Sequence, residues 1–262
     1  MEKTYELKFH DTLCLQQDDT LQINIEPRAK GNLFFEVEAH QTKVGIRVQE
    51  SANVKVFVYN KNLENTQFEC EINIHENAQC TMAVLDLQQQ PMEFKQKVTL
   101  EQEQAYFELY TAQLCGTDSK KISDIEILHQ TSNTTGIMHN YAVLFDRAYY
   151  EMVANGNIQK NCAQSQSHQE TRVLTLGTDF KTKVIPLLLI DENDVKASHA
   201  LTIGQPDENQ LYYLQSRGLS PQQAMGLLSV GYFMPVIQWI EDESLRNQLQ
   251  EEMERKVGIY GN

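Results

Sequence analysis

Cysteine and histidine are the side chains of this sequence that could bind a metal ion, and cysteine is also its strongest nucleophile. They are Cys14, Cys70, Cys80, Cys115 and Cys162, with His10, His40, His75, His129, His139, His168 and His199. No two cysteines form a Cys-x-x-Cys pair, and no histidine pairs with another or with a cysteine at helical metal-ligand spacing. The spacing alone therefore predicts no preformed metal site.

Cys162 is the best candidate for an accessible thiol. It follows Asn161 in a polar stretch between residues 155 and 170. The alternative is that each cysteine is a small buried hydrophobic residue, which is the commoner role of a cysteine on an alternating strand.

Motifs of nucleotide binding, serine hydrolysis and zinc proteolysis are absent from the sequence. It contains no phosphate-binding Gly-rich loop, no Gly-x-Ser-x-Gly elbow and no His-Glu-x-x-His segment. Adjacent carboxylates such as Asp18 with Asp19 and Glu251 with Glu252 are typical of solvated faces. We expect a protein that is not an enzyme. A carbohydrate-active β-solenoid remains an alternative, because carboxylates can gather on one face of such a fold without a sequence motif.

Charge and composition argue against several classes of partner. The 262 residues include 22 Lys and Arg against 36 Asp and Glu, a net charge of −14, which disfavours binding of nucleic acid or anionic membrane through bulk charge. No apolar run reaches membrane-spanning length, and the polar, acidic N-terminus is unlike a signal peptide. An odd set of five cysteines is typical of a reducing compartment, so we expect a cytoplasmic protein.

Strands with alternating apolar and polar residues dominate residues 1–205. Val44, Ile46 and Val48 alternate with polar residues, which places one face of the strand inside and the other outside. No strong 3.6-residue period appears between Leu33 and Leu109, so repeated β-α units are disfavoured. The sequence therefore predicts a mainly β domain over residues 1–205.

A short repeat, Glu-x-Ala, recurs in this region at Glu50, Glu76 and Glu103, with steps of 26 and 27 residues. Each copy predicts a strand, a tight polar turn with a small residue at the corner, and another strand. Such a period is typical of a β-solenoid, in which each coil buries its apolar face on the next. An antiparallel meander with similar turns is the alternative, and the repeat alone leaves both open.

Helical periodicity replaces the strand pattern after residue 205, which predicts a small helical domain over residues 206–262. Ser220-Pro221-Gln222-Gln223 offers an N-cap serine, proline at the first helical position and glutamine at the third. A shorter helix is expected to open at Asp207 and to stop at Gly218, and a last helix to begin near Asp242.

The segment Met225–Ile240 is apolar nearly all round and too short to span a bilayer. It must be buried, either within the chain, which is the commoner outcome, or against a partner protein. Pro235 is expected to kink or end this helix. The candidate partner-binding residues are Met225, Leu228, Tyr232, Phe233 and Trp239.

The segment before and within the first predicted helix carries a family resemblance. Asp194–Gly204 reads Asp-Val-Lys-Ala-Ser-His-Ala-Leu-Thr-Ile-Gly; Asp207-Glu208 follows, and Leu211–Leu219 reads Leu-Tyr-Tyr-Leu-Gln-Ser-Arg-Gly-Leu. Order and spacing resemble the C-terminal block of the SufB/SufD proteins, the scaffold subunits of the SUF iron–sulfur cluster assembly machinery. The match runs from about residue 164 to the C-terminus. It implies a right-handed parallel β-helix followed by a helical domain.

The resemblance also implies a function and partners. The chain would be a non-enzymatic scaffold for iron–sulfur cluster assembly, and a SufC-type ABC ATPase would dock on its C-terminal helices, including Met225–Ile240. A nascent iron–sulfur cluster would form where two β-helix subunits meet. The second subunit would be another SufB/SufD-type chain or a second copy of this one, and the nucleotide would belong to the ATPase.

At single positions, the chain matches the family at one site residue and departs from it at others. His199 matches the histidine that the family places at the subunit interface, and imidazole is a suitable ligand for iron, although a lone histidine here is more often structural. Thr171 stands near the place of a cluster-ligating cysteine of SufB-type chains, and Ala197 where many SufD-type chains have cysteine. Gln215 replaces the usual arginine. These departures make the chain more SufD-like and leave Cys162 only a weak candidate ligand.

The strand pattern begins within the first few dozen residues. We therefore expect a short family member that lacks the N-terminal helical domain of longer members, and such a member could pair with itself. A β-solenoid with a purely structural role remains the further alternative.

Overall fold

The computed structural model describes residues 1–240 and 242–258. Within them it contains sixteen strands followed by three helices. The strands are β1 (Glu2–Tyr5), β2 (Lys8–Leu15), β3 (Asp19–Ile25), β4 (Lys30–Val37), β5 (Gln41–Val48), β6 (Asn53–Asn60), β7 (Thr66–Ile74), β8 (Gln79–Asp86), β9 (Met92–Leu100), β10 (Tyr106–Cys115), β11 (Lys120–His129), β12 (Thr135–Leu144), β13 (Tyr149–Ile158), β14 (Gln166–Thr175), β15 (Lys181–Ile190) and β16 (Lys196–Gly204). The helices are α1 (Glu208–Ser216), α2 (Pro221–Ile237) and α3 (Glu243–Lys256).

Strand pairing makes the fold a parallel β-solenoid. The odd-numbered strands form one eight-stranded sheet, here sheet A, and the even-numbered strands form a second, sheet B. Neighbouring strands within each sheet pair in parallel. Each coil thus gives one strand to each sheet. The solenoid prediction is confirmed, and the antiparallel meander is excluded.

The hydrophobic core lies between the two sheets. Alternate residues of each strand point inward, as the predicted period of two requires, and Val44, Ile46 and Val48 are all buried there. Phe68 and Phe94 stack in adjacent coils with ring centroids 6.0 Å apart. Because full burial of one such side chain is worth about 1.5–3 kcal/mol, stacked apolar rows account for most of the stability of a solenoid.

Tight corners repeat along the solenoid. In each Glu-x-Ala copy the middle residue has a positive φ and the alanine is buried, as in Ser51–Ala52 and Asn77–Ala78. The backbone N–H of Ser51 donates to the carbonyl oxygen of Glu76 in the next coil, at 2.8 Å. The predicted turn with a small corner residue is therefore confirmed. The same arrangement, a residue with a positive φ followed by a small buried residue, recurs outside these copies at Arg28–Ala29, Asp118–Ser119, Asn133–Thr134, Arg147–Ala148, Asn161–Cys162 and Gln164–Ser165.

The coils lengthen along the chain. Cys14 and Glu36, which are register partners in the first two coils, are 22 positions apart. His168 and Ser198, register partners in the last two, are 30 positions apart. The solenoid is therefore widest toward its C-terminal end.

Polar side chains close the interior of the first coil. Asp11 on β2 accepts hydrogen bonds from Lys3 Nζ at 3.0 Å and from Tyr5 Oη at 2.6 Å, both on β1. The Tyr5 hydroxyl is the main cause that lowers the pKa of the Asp11 carboxyl, and Lys3 adds to it. The ring of Phe9 lies 4.8 Å from that of Tyr5. This network links the two strands across the end of the core.

Helix α2 packs on the outer face of sheet B. Ser220 and Gln223 form the predicted capping box at its start. Phe233 is fully buried, in a second apolar cluster that includes Leu85 and Val143 of sheet B. Pro235 lies inside the helix, which ends two residues later, so the expected helix end is confirmed.

The other two helices also begin where the sequence predicts. Asp207 caps α1, and Gly218 follows α1 with a φ of 99°. Asp242 caps α3, which buries Leu249 and Met253. Among residues 1–240 and 242–258, no helix has the length and apolarity needed to traverse a lipid bilayer.

Candidate functional site

The last coil of the solenoid exposes apolar side chains at an unpaired edge. β15 pairs only with β13 and β16 only with β14, so one edge of each strand has no partner strand within the described residues. Leu189 (50% exposed) and Ile190 are exposed on β15, and Leu201 (40% exposed) and Ile203 are exposed on β16. Unpaired edges and exposed apolar side chains are features of protein interfaces.

His199 lies on β16 in this last coil. Its register partner on β14 is Gln169, which is buried between the sheets, so His199 occupies the inward-facing row. Because no described coil follows β16, the side chain of His199 is exposed. On the opposite face of β16, Ser198 contacts Nδ1 of His168 at 2.8 Å. The fold thus presents His199 at the open end of the solenoid.

Two other positions noted from the sequence lie near His199. Thr171 is buried, accepts a hydrogen bond from Nδ2 of Asn140 at 3.4 Å and is the register partner of Leu201. Ala197 is half-buried on β16, two residues before His199. The structure therefore brings Thr171, Ala197 and His199 to one end of the solenoid.

The prediction of an accessible thiol at Cys162 is wrong. The residue is 1% exposed, and its thiol donates to the carbonyl oxygen of His129 at 3.3 Å. Cys162 fills the small-residue position of a corner, directly after Asn161 with its positive φ. Burial raises the pKa of its thiol. Its polar sequence neighbours point outward, whereas the corner turns Cys162 into the core.

Cys14 is the exposed cysteine among the five, all of which lie in the described residues. Its thiol donates to Oε2 of Glu36 at 3.2 Å, and this carboxylate raises the pKa of the thiol. Burial raises the pKa of Cys70 to about 12, which keeps that thiol protonated. The described residues contain no group of three His, Cys, Asp or Glu side chains arranged to hold a metal ion.

A second exposed apolar region lies on the helices, and we call it the α1–α2 surface. It comprises Tyr212 and Tyr213 on α1 and Leu227 on α2, all exposed. Tyr213 also lines a shallow depression with Leu214 and Leu228. Helix α1 buries none of its residues. The sequence did not single out the two tyrosines, although they lie in the Leu-Tyr-Tyr-Leu stretch that carries the resemblance.

The predicted partner-binding residues divide between two environments. Leu228 lies at the α1–α2 surface, and Met225 and Tyr232 are half-buried. Phe233 is fully buried against sheet B, and the ring of Trp239 lies 5.1 Å from that of Tyr110 on β10. These last two contacts hold α2 on the solenoid, which confirms the commoner outcome of burial within the chain.

A polar network connects this helix to the late coils. Tyr110 stacks on His139 with centroids 4.7 Å apart. His139 lies 3.4 Å from Glu108 and 3.5 Å from Glu170, which is on β14. The His139 imidazole, helped by tyrosine hydroxyls, holds the pKa of the Glu108 carboxyl below its usual range. Contacts thus run from Trp239 on the helical side to the strand beside the last coil.

A family model matches most of this chain, and known proteins resemble parts of it. The family model for the SUF system FeS cluster assembly, SufBD core domain, matches residues 12–232. The iron–sulfur cluster assembly protein SufD of Bacillus subtilis is 36% identical over 132 residues, which are 50% of this chain and 30% of that protein.

Two further relatives belong to the same group of proteins by their names. SufD of Escherichia coli is 29% identical over 99 residues, 37% of this chain and 23% of that protein. The SufBD family protein Rv1461 of Mycobacterium tuberculosis is 26% identical over 159 residues, 60% of this chain and 19% of that protein. The matched segments thus span less than a third of each of these relatives.

Proposed function

The chain belongs to the SufBD core domain family, and on that basis we propose that it is a non-enzymatic scaffold subunit of an iron–sulfur cluster assembly complex. The observation that carries the proposal is the match over residues 12–232, which includes the last coil with His199 and the start of the helices. A cytoplasmic location suits the five unpaired cysteines, because thiols stay reduced there.

His199 is the residue of this chain that contacts the cluster in the proposed complex. The cluster is the cargo of the scaffold, and the exposed imidazole at the end of the solenoid offers iron a nitrogen ligand. One imidazole cannot hold a cluster, so the remaining ligands come from a facing subunit. The proposed assembly site therefore lies between two solenoid ends.

A second SufB/SufD-type chain, or a second copy of this one, covers the last coil. Leu201 and Ile203 gain the cover that another coil would give them, and the free edges of β15 and β16 gain a neighbour. If the partner is a second copy, one self-complementary patch forms a closed two-fold dimer.

A SufC-type ABC ATPase docks on the α1–α2 surface. The exposed aromatic rings of Tyr212 and Tyr213 are the type of side chain that anchors protein interfaces. Phe233 and Trp239 contact the solenoid, so they do not contact the ATPase. A force that the ATPase applies to α2 would pass through these two contacts to sheet B.

Co-expression with the cognate ATPase tests the docking surface. Tyr213→Asp places a charge at the surface and is expected to abolish co-purification of the ATPase with the chain. Leu63→Asp is the control, because Leu63 is also an exposed apolar residue, in the loop between β6 and β7. Equal recovery of the ATPase with both variants would show that it docks elsewhere.

Anaerobic reconstitution with iron and sulfide tests the scaffold function. In the complex with the ATPase, we expect the visible absorbance of a cluster in the parent chain and its loss in His199→Ala. His40→Ala serves as control, because His40 is an exposed histidine far along the chain from the last coil. Undiminished absorbance in His199→Ala removes this residue from the site. Absence of a cluster under every condition favours a purely structural solenoid.

A further inference from the structure

Gln169 carries a buried polar atom without a partner. The residue is 4% exposed, and its Nε2 donates to the carbonyl oxygen of Leu187 at 2.8 Å. Only the amide nitrogen can donate this bond, so the orientation of the amide is fixed. Its Oε1 has no hydrogen-bond partner among the described residues. Leaving a buried acceptor unpaired costs about 1–3 kcal/mol, so native proteins rarely do so without a reason.

The residue next to Gln169 in the following coil is His199. The two are register partners on β14 and β16, and both lie on the inward-facing row. Neighbouring strands are about 4.8 Å apart, so side chains at paired positions can contact each other. Rotation of the exposed His199 side chain can therefore bring a ring N–H to Oε1 of Gln169.

We propose that Gln169 is a positioning residue for His199. Its Oε1 accepts a hydrogen bond from one ring N–H of His199, which fixes the tautomer and leaves the other ring nitrogen unprotonated and directed out of the open end. Histidines that bind metals nearly always donate their second ring N–H to such an acceptor. The use of the outward nitrogen rests on the proposed function, whereas the pair itself is a property of this chain.

The tautomer of His199 tests the proposal directly. Long-range 1H–15N correlation spectra of the labelled chain distinguish the two ring nitrogens, and His199→Asn identifies the signals of His199. We expect one predominant tautomer in the parent chain. Gln169→Met, which has similar size and no acceptor, is expected to give averaged tautomers, and Gln169→Glu, which keeps an acceptor at the same reach, to restore a single one.

Gln96→Met is the matched control. Gln96 is also a buried glutamine with an unpartnered amide, but its register partners are Cys70 and Ile125. We expect this variant to leave the His199 spectrum unchanged, so a general loosening of the core does not imitate the effect of Gln169→Met.

Averaged ring-nitrogen shifts in the folded parent chain would overturn the proposal, and this measurement does not depend on whether Gln169→Met folds. Identical His199 spectra for the parent and Gln169→Met would also overturn it. Cluster reconstitution is a separate measurement. A fixed tautomer without any cluster supports the positioning role and contradicts the proposed function. Cluster formation with averaged tautomers supports the proposed function and contradicts the positioning role.

Discussion

The two ends of the solenoid have opposite chemistry. In the first coil, Asp11 binds Lys3 and Tyr5 across the end of the core. In the last coil, Leu201 and Ile203 are exposed, and no described coil covers them. An inward-facing apolar row is normally covered by the next repeat, and terminal repeats need a polar replacement. The first coil has that replacement and the last does not, which favours the last coil as the interface.

The interiors of the early and late coils differ in the same direction. The early coils are filled mainly with aliphatic and aromatic side chains, and polar residues such as Asn60 and Thr66 are buried at their corners. The late coils bury a hydrogen-bonded ladder of Thr111, Asn140 and Thr171, together with His129 and Gln169. Buried polar groups make stability depend on pH and on exact pairing. The late coils are therefore the part of the solenoid where single substitutions should have specific effects.

The largest expected effect is a loss of association through the last coil. Leu201→Glu places an unpaired charge in the proposed interface, which costs on the order of 3 kcal/mol, or about 100-fold in affinity. Sedimentation of the chain, alone and with a co-expressed SufB-type subunit, measures this loss. Leu7→Glu, at an exposed apolar residue of the first coil, is expected to leave association unchanged. Equal association of the two variants would mean that the ends do not differ in role.

The pH dependence of stability should come from the late coils. Burial lowers the pKa of His129 to about 4, while its unfolded value is about 6.5. Between these values the unfolded chain binds the extra proton, so stability falls as pH drops from 6.5 toward 4, by on the order of 3 kcal/mol. Urea unfolding of the parent and His129→Gln across this range should show a flatter profile in the variant. Parallel profiles contradict the assignment.

The hydrogen-bond network of the first coil should contribute less to the free energy of unfolding than His129 does. Asp11→Ala removes two hydrogen bonds at a partly exposed site and is expected to cost about 1 kcal/mol at neutral pH, without any change in association. Because the folded pKa of Asp11 lies below its unfolded value, this contribution is present above about pH 4 and disappears as pH falls further. Urea unfolding measures the loss, and Lys8→Ala on the same strand provides the control.

The smallest effect concerns thiol access. A thiol reagent should label one cysteine per folded chain, Cys14 in the first coils, and all five in denaturant. Cys14→Ser should abolish the labelling of the folded chain. Labelling of Cys162 before Cys14 would show that the corner beside the late coils opens more readily than its burial indicates.

The sequence predicted the helices closely because their ends depend on local chemistry. Asp207, Ser220 and Asp242 cap helices through their own side chains, so each is recognisable from its neighbours. The choice between solenoid and meander was different, because alternation is identical in both and only long-range pairing separates them. The family resemblance supplied what the repeat could not.

The corners show why part of the candidate site was misjudged. The alanines of the Glu-x-Ala copies are visible as a repeat, but other corners use Ser119, Thr134 or Cys162, since only small size is required. Cys162 therefore looked like part of a polar stretch. Likewise, a helix apolar nearly all round does not reveal that Phe233 faces the sheet. The unpaired oxygen of Gln169 depends on a contact with Leu187 that no local pattern encodes.

The lengthening of the coils also limits how such a chain can gain or lose repeats. A coil with a 22-residue step cannot replace one with a 30-residue step without leaving residues unpaired at the corners. In the late coils the steps are nearly equal, 29 from Thr111 to Asn140 and 31 from Asn140 to Thr171. Duplication or deletion of a whole coil is therefore structurally compatible in the wide part of the solenoid, and an engineered chain can change its length there.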